Sequence, residues 1–253
     1  MNLDLLPNEI LLILFAYFNG IDLLHAFYGL NSRFNLLLYN QFQAYYFCFS
    51  SLSKRKFDMI CQQHLPFICD RIITLTLTDD EDTPEEIDLF FSYILSFKWF
   101  THLPLLDYAP RLQSLSISRN QSLPLQISLF KYRNVSVRYL NLKNYNYQFN
   151  EEECLRLNYS PLGVQCEVLF INVKNRESIM ILVKNMINLR TLHIKCEDDK
   201  YSKHLSLTEN VDESHNANTL NKDDLVQWLK DSLASTCLIV TNPDFANSIS
   251  IWI

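Results

Sequence analysis

Three lysines recur at one position of a repeated strand pattern, in a chain whose formal net charge is −6. Lys143, Lys174 and Lys195 each come directly after an apolar strand segment. Neighbouring parallel strands lie about 4.8 Å apart, so ammonium groups in one column repel each other unless they are solvated, offset or paired with anions. The column therefore indicates a binding site for an acidic or phosphorylated segment. Flexible lysines extended into water at the strand ends would give the same pattern.

Aromatic and amide side chains occupy the two columns beside the lysines. Residues that alternate with the apolar strand positions point to the outer, concave face of a sheet. Tyr139 and Phe170 share one predicted column, and Asn141, Asn172 and His193 share the next. The amides can bond the backbone of an extended segment while the lysines meet its charge. The predicted binding residues are Tyr139, Asn141, Lys143, Phe170, Asn172, Lys174, His193 and Lys195.

No residues at catalytic or metal-binding spacing stand out. The acidic clusters fall at predicted helix starts or in a polar stretch, where they complement helix dipoles or face solvent. The chain has only three glycines, too few for the usual phosphate-binding loops. Cys61, His64 and Cys69 lack the second ligand pair of a zinc site, so we expect buried thiols there. We predict a non-catalytic protein without cofactors.

Charge and hydropathy exclude two classes of partner. A general nucleic-acid binder is usually basic, whereas this chain is acidic. The longest apolar run, residues 10–18, has nine residues and is about half of a membrane span. The start also lacks the basic region of a signal peptide. We expect a soluble intracellular protein, cytoplasmic or nuclear, with no nucleic-acid or membrane partner.

Strand segments with one apolar pattern recur from residue 72 onward, and stretches of helical period lie between them. The central positions of five copies are 40, 25, 31 and 21 residues apart, and two of these intervals fall within the range of leucine-rich repeats. An irregular solenoid over residues 71–253, with a curved parallel sheet backed by helices, accounts for this pattern. An ordinary α/β domain with one mixed sheet is the alternative. The copies are Ile72/Leu75/Leu77, Leu112/Leu115/Ile117, Val137/Leu140/Leu142, Val168/Ile171/Val173 and Leu189/Leu192/Ile194.

Two other segments complete the predicted organisation. Residues 41–70 are aromatic and apolar, and we predict a helical linker and cap with a basic turn at residues 54–56. Residues 197–222 are polar and acidic, which predicts a mobile insertion before a last helix over residues 223–234. A helix is also expected over residues 84–100.

The first forty residues predict three short helices with more apolar surface than they can bury. Pro7 suits the start of the first helix, Gly20 its end, and Asp22 the cap of the second. Asn31 or Ser32 can cap the third. A solvent-facing helix normally has one apolar stripe, so this unit needs a neighbour. The first helix has two: Leu6, Ile10, Ile13, Leu14 and Tyr17, and Leu11, Phe15 and Phe18.

These residues resemble an F-box, the module that docks on the Skp-type adaptor of cullin–RING ubiquitin ligases. Phe34 stands where many members of that family have Trp. The matching motifs are Leu6-Pro7-x-Glu9-Ile10-Leu11, Phe15-x-Tyr17-Phe18, Asp22-Leu23-Leu24, Asn31-Ser32-Arg33-Phe34 and Leu37.

The resemblance implies an α+β or α/β protein with a three-helix F-box over residues 1–40 joined to leucine-rich repeats. It further implies the substrate-recognition subunit of a Skp–cullin–F-box (SCF) ubiquitin ligase, which binds the adaptor, and through it the cullin, and also a protein substrate. Catalysis would belong to the ligase core. A repeat scaffold that binds partners without any ligase is the alternative. The expected adaptor contacts, with the packing behind them, are Leu6, Pro7, Ile10, Leu11, Phe15, Leu23, Leu24 and Phe34.

Overall fold

The chain folds into two compact units, one of residues 1–126 with 132–137 and one of residues 127–131 with 138–253. Both combine helices with mostly parallel strands, as the predicted mixed α/β class requires. Within the described ranges, no helix is long and apolar enough to cross a membrane. The computed structural model describes residues 3–50, 52–79, 87, 89–90, 109–118, 134–143, 147–196, 216–241 and 248–253.

The first unit opens with helices and continues into three parallel strands, β1 beside β2 and β2 beside β3. Short 3-10 turns lie at Leu3–Leu5 and Cys69–Arg71, and π-helical turns at Leu37–Gln41 and Ile60–His64. The elements are α1 Asn8–Phe15, α2 Gly20–Phe27, α3 Ser32–Leu36, β1 Tyr45–Phe49, α4 Lys54–Met59, α5 Leu65–Ile68, β2 Ile72–Thr78 and β3 Ser114–Ser118.

The second unit has three parallel strands, β4 to β6, followed by an antiparallel pair in which β8 lies between β6 and β7. Its elements are β4 Tyr139–Asn141, α6 Glu151–Asn158, α7 Pro161–Val164, β5 Val168–Val173, α8 Arg176–Asn185, β6 Thr191–Cys196, α9 Asn216–Ser232, β7 Leu238–Thr241 and β8 Ser248–Trp252.

Asparagine side chains begin four of these helices by accepting a bond from the first turn. Asn31 caps α3 as expected, Asn150 forms a capping box with Glu153, and Asn175 caps α8. Asn19, and not Asp22, caps α2, so the prediction that Gly20 ends a helix is wrong. Gly20 instead starts α2 where the helix meets β1, since a Cβ there would lie 2.8 Å from the Phe47 ring.

The predicted alternation of the first repeats is confirmed. Leu75 and Leu77 of β2 and Leu115 and Ile117 of β3 are buried. The residues between them form paired columns on the other face, where Thr74, Thr76 and Thr78 lie opposite Ser114, Ser116 and Ser118.

The predicted register of β5 is wrong by two residues. Leu169, and not Ile171, lies opposite Leu140 on one side and Leu192 on the other. The repeat in this strand therefore starts at Cys166, which is fully buried, and reads Cys166/Leu169/Ile171. With this register, the central positions 140, 169 and 192 are 29 and 23 residues apart, both within the leucine-rich-repeat range.

Two predicted segments differ in structure from the expectation. The linker over residues 41–70 contains the strand β1, and the basic triplet at residues 54–56 starts α4 and does not form a turn. Helix α9 begins at Asn216, so the end of the predicted polar insertion is helical. Residues 197–215 and most of the helix predicted over residues 84–100 lie outside the described residues.

Among the described strands, β1 pairs with β2 alone and forms an edge of the first unit. The Asn19 side chain lies against this edge. Its Nδ2 donates to the Cys48 carbonyl at 3.3 Å, and its Oδ1 accepts from the Cys48 amide at 3.2 Å. One amide side chain thus satisfies both backbone groups of one residue of the edge strand.

Candidate functional site

The inward side of the first three helices is an aromatic and aliphatic core. The Phe27 ring lies 5.0 Å from the Phe15 ring and 5.4 Å from the Phe34 ring, centroid to centroid. Phe34 fills the interior and is 2% exposed, so it supports the module and does not form its surface. Of the predicted adaptor contacts, five are at most 2% exposed and pack behind the surface: Leu11, Phe15, Leu23, Leu24 and Phe34.

Arg33 fixes the segment that precedes α1. Its guanidinium donates to the Asp4 carbonyl at 2.6 Å, to the Leu6 carbonyl, and to the Asn8 side-chain oxygen at 2.9 Å. Asn31 adds a bond to the Asp4 carboxylate at 3.0 Å. A planar fork with several donors suits such a clamp, because it holds backbone groups at fixed angles. Arg33 therefore determines where Leu6 and Pro7 lie on the surface.

The outward side of α1 is apolar and exposed. Ile10, Ile13, Leu14 and Tyr17 are spaced along one helical stripe and are 44%, 57%, 38% and 83% exposed, respectively. Leu5, just before the helix, is 81% exposed. Of the remaining predicted adaptor contacts, Leu6 is half-buried and Pro7 is exposed. We name the set Leu5, Leu6, Pro7, Ile10, Ile13, Leu14 and Tyr17 the α1 apolar face.

The α1 apolar face continues into a cleft of about 370 Å³. Tyr17 and Phe18 form one wall, and Tyr46 of β1 with Thr74 and Thr76 of β2 form another. Phe18 itself is 41% exposed. The cleft gives the face a concave end that can receive an apolar side chain of a partner.

The second candidate site is one face of the sheet in the second unit, which we name the open face. Strand pairing arranges its residues in three rows across the strands. An apolar row contains Tyr139, Val168, Thr191, Trp252 and Leu238, and a middle row contains Asn141, Phe170, His193, Ser250 and Val240. A basic row contains the paired residues Asn172, Lys195 and Ser248.

The open face brings together most of the predicted binding residues, but in different columns. Phe170 lies opposite Asn141 and His193, and Asn172 lies opposite Lys195. Lys143 follows Asn141 by two residues and so continues the basic row. The prediction of a column of three lysines is therefore wrong, because Lys174 lies after the end of β5 in the observed register. The correct register was detectable only if Cys166 was counted as an apolar position.

Three ring systems form a continuous contact across β4, β5 and β6. The Tyr139 and Phe170 rings lie 5.1 Å apart, and the Phe170 and His193 rings stack at 4.0 Å with planes 20° apart. His193 Nδ1 is 2.7 Å from the Ser250 Oγ. Burial lowers the pKa of His193 below its ordinary value, and the charge of Lys143 lowers it further. The imidazole is therefore neutral at neutral pH.

The basic row concentrates positive charge on a small area. Burial lowers the pKa of Lys143, and the charge of Lys195 lowers it further. Asn172, 8% exposed, lies between the two lysines. At the opposite end of the strands, Glu167 pairs with Arg138 and Arg190, at 3.2 Å and 3.4 Å.

Within the described residues, no group of three His, Cys, Asp or Glu side chains can hold a metal ion. His64 contacts aromatic rings and bonds the Tyr39 hydroxyl. Comparison with known proteins found no matching family model, no matching curated protein and no matching solved structure.

Proposed function

We propose that this chain is the substrate-recognition subunit of an SCF ubiquitin ligase. The α1 apolar face docks on the Skp-type adaptor, and the repeat region holds a protein substrate. The observation that supports the proposal is the outward apolar stripe of α1 in a module whose interior is already filled by Leu11, Phe15 and Phe34. Because the interior is filled without the exposed part of the stripe, that apolar surface is available for a partner.

The placement of Leu6 and Pro7 supports the same proposal. Arg33 holds this segment beside the start of α1 by its bonds to the Asp4 and Leu6 carbonyls, which fixes Leu5 and Leu6 at the module's surface. Preorganised apolar anchors lower the entropy lost on binding. The chain itself then performs no chemistry; it raises the concentration of the substrate beside the ligase's catalytic subunits.

Co-purification with the Skp-type adaptor tests the proposal. We expect the full chain to capture the adaptor, and the double variant Leu6→Ala with Ile10→Ala to lose capture. Truncation of a buried anchor costs roughly 1–3 kcal/mol, so two anchors weaken binding by about two orders of magnitude or more.

The matched control is Leu155→Ala with Ile187→Ala, which removes the same side chains from exposed positions of the second unit, 39% and 83% exposed. It should capture the adaptor normally. Circular dichroism of both variants checks that they stay folded. Undiminished capture by the Leu6/Ile10 variant, or no capture by the unaltered chain, would reject the F-box assignment. A chain that still binds a protein through the open face would then be a repeat scaffold outside any ligase.

A further inference from the structure

Lys143 and Lys195 flank Asn172 in the basic row of the open face. Asn172 lies opposite Lys195 in the sheet. On the other side of β5, the Leu142 amide donates to the Phe170 carbonyl, and Lys143 is the next residue along the chain. Strands are spaced about 4.8 Å apart, so the two lysine backbones are separated by roughly 10 Å. A lysine side chain is long enough for both ammonium groups to reach one anion above the Asn172 amide.

The charges around this point favour an anion with more than one negative charge. The basic groups near the position include Lys143, which lies just after β4, and Lys195 and His193 from β6. Ser250 of β8 lies within hydrogen-bond distance of His193, and the Tyr139 ring of β4 contacts Phe170, which stacks on His193. Repulsion between Lys143 and Lys195 raises the free energy of the empty site, and a bound dianion removes it.

The neighbouring rows favour an anion that is carried on a peptide. Phe170 and Tyr139 present ring surface beside the lysines, and Trp252 and Leu238 of the apolar row are 51% and 61% exposed. A free phosphate ion would use only the basic row. An extended segment can place its charge over the lysines and an apolar side chain over the rings.

We propose that Lys143 and Lys195 bind a phosphate monoester on an extended peptide segment whose apolar residues pack on Tyr139 and Phe170. The two ammonium groups neutralise the dianion as point charges. The segment would belong to the protein substrate, so the biological role of this site rests on the proposed function. Binding of the anion would also raise the pKa of His193, because the negative charge opposes the effect of Lys143.

Two measurements on the full chain test the site. In the first, phenyl phosphate and inorganic phosphate are titrated while NMR follows the His193 ring protons and their pH titration. We expect phenyl phosphate to bind more tightly and to shift the His193 titration upward. In the second, the chain is captured on short degenerate peptides with a central phosphoserine and on the same peptides with serine. We expect enrichment on the phosphorylated set alone.

The test variant is Lys143→Gln with Lys195→Gln, and the matched control is Lys184→Gln with Lys230→Gln, which removes two exposed charges from helices α8 and α9. We expect a roughly tenfold loss of phenyl phosphate binding in the test variant and less than twofold in the control. Equal binding by both variants, equal capture on the two peptide sets, or displacement of the phosphopeptides by a short RNA would overturn the proposal. Adaptor capture should be unchanged in the test variant, so this site can fail while the proposed function stands.

Discussion

Arg33 carries one positive charge, and it also holds the segment before α1 in place through several hydrogen bonds. It binds two backbone carbonyls and the side chain of Asn8, all in the segment that enters α1. Sequence alone shows Arg33 as one residue of a motif. The clamp depends on the third helix returning beside the start of the chain, and that is a tertiary contact that local pattern does not reveal.

Replacing Arg33 by Met should free this segment without emptying the interior. Hydrogen bonds to a charged group contribute about 1.5–3 kcal/mol each when buried, and less here because the site is partly exposed. We expect a loss of about 1–3 kcal/mol in unfolding free energy, faster amide exchange over residues 3–8, and weaker adaptor capture. Arg156→Met is the control, since Arg156 pairs with Glu152 on the surface of α6. Unchanged exchange over residues 3–8 would show that Arg33 does not hold the segment.

His64 is a buried titratable group in the first unit. Its ring bonds the Tyr39 hydroxyl, packs 4.7 Å from the Tyr28 ring, and is 1% exposed. The Arg71 guanidinium donates to the backbone carbonyl of the same Tyr39. Burial lowers the pKa of His64, so folding favours the neutral ring.

Because folding lowers the pKa of His64, the stability of the chain depends on pH. The unfolded His64 binds a proton near pH 6.5 and the folded one only at lower pH, so its contribution is present above about pH 6.5 and is lost as the pH falls below it. The slope is at most about 1.4 kcal/mol per pH unit, the value for one proton. We expect His64→Gln to lose less stability than the unaltered chain between pH 7 and pH 5 in urea unfolding. His25→Gln, which replaces an exposed histidine, is measured in parallel. Equal slopes for His64→Gln and the unaltered chain would contradict the prediction.

At the scale of elements, patterning predicted those strands that alternate apolar and polar residues. Strands β2 and β3 have Thr and Ser between their apolar residues. The sequence therefore predicted both the existence and the register of these strands. Strand β1 could not, because its exposed positions, Tyr46 and Cys48, are as apolar as its buried ones. A strand without polar positions shows no period of two.

The prediction of the β5 register was wrong for a related reason. Val168, Ile171 and Val173 satisfy the same spacing as the true set, Cys166, Leu169 and Ile171, so the pattern fits twice. Only pairing with β4 and β6 distinguishes the two frames. The candidate site was therefore predicted in its residue types and its face, but not in its columns, which depend on register.

At the scale of the whole molecule, the two candidate sites lie in different units and rely on different forces. Binding at the α1 apolar face would depend on burial of apolar area, and binding at the basic row would depend on charge. Raising ionic strength from about 0.01 M to 1 M shortens the Debye length from about 30 Å to about 3 Å. Salt should therefore separate the two activities in one preparation.

We expect phenyl phosphate binding to weaken roughly tenfold over this range, while adaptor capture is retained. Calorimetry for the first and co-purification for the second measure the two effects. Sodium chloride is the suitable salt, because sulfate or phosphate would compete at the basic row. Capture that is lost with rising salt would show that charge, and not the α1 apolar face, binds the adaptor.

The contact between Asn19 and Cys48 bears on how separate copies of the chain avoid polymerising. An open strand edge is a template on which another chain can add a strand, and added strands lead to fibrils. Asn19 occupies the place of one residue of such an incoming strand, with both its donor and its acceptor in use. Aspartate would still cap α2 but could not donate to the Cys48 carbonyl, and its charge would repel that oxygen. The side chain that starts α2 thus also occupies the backbone groups of Cys48 to which the strand of a second molecule would otherwise bond.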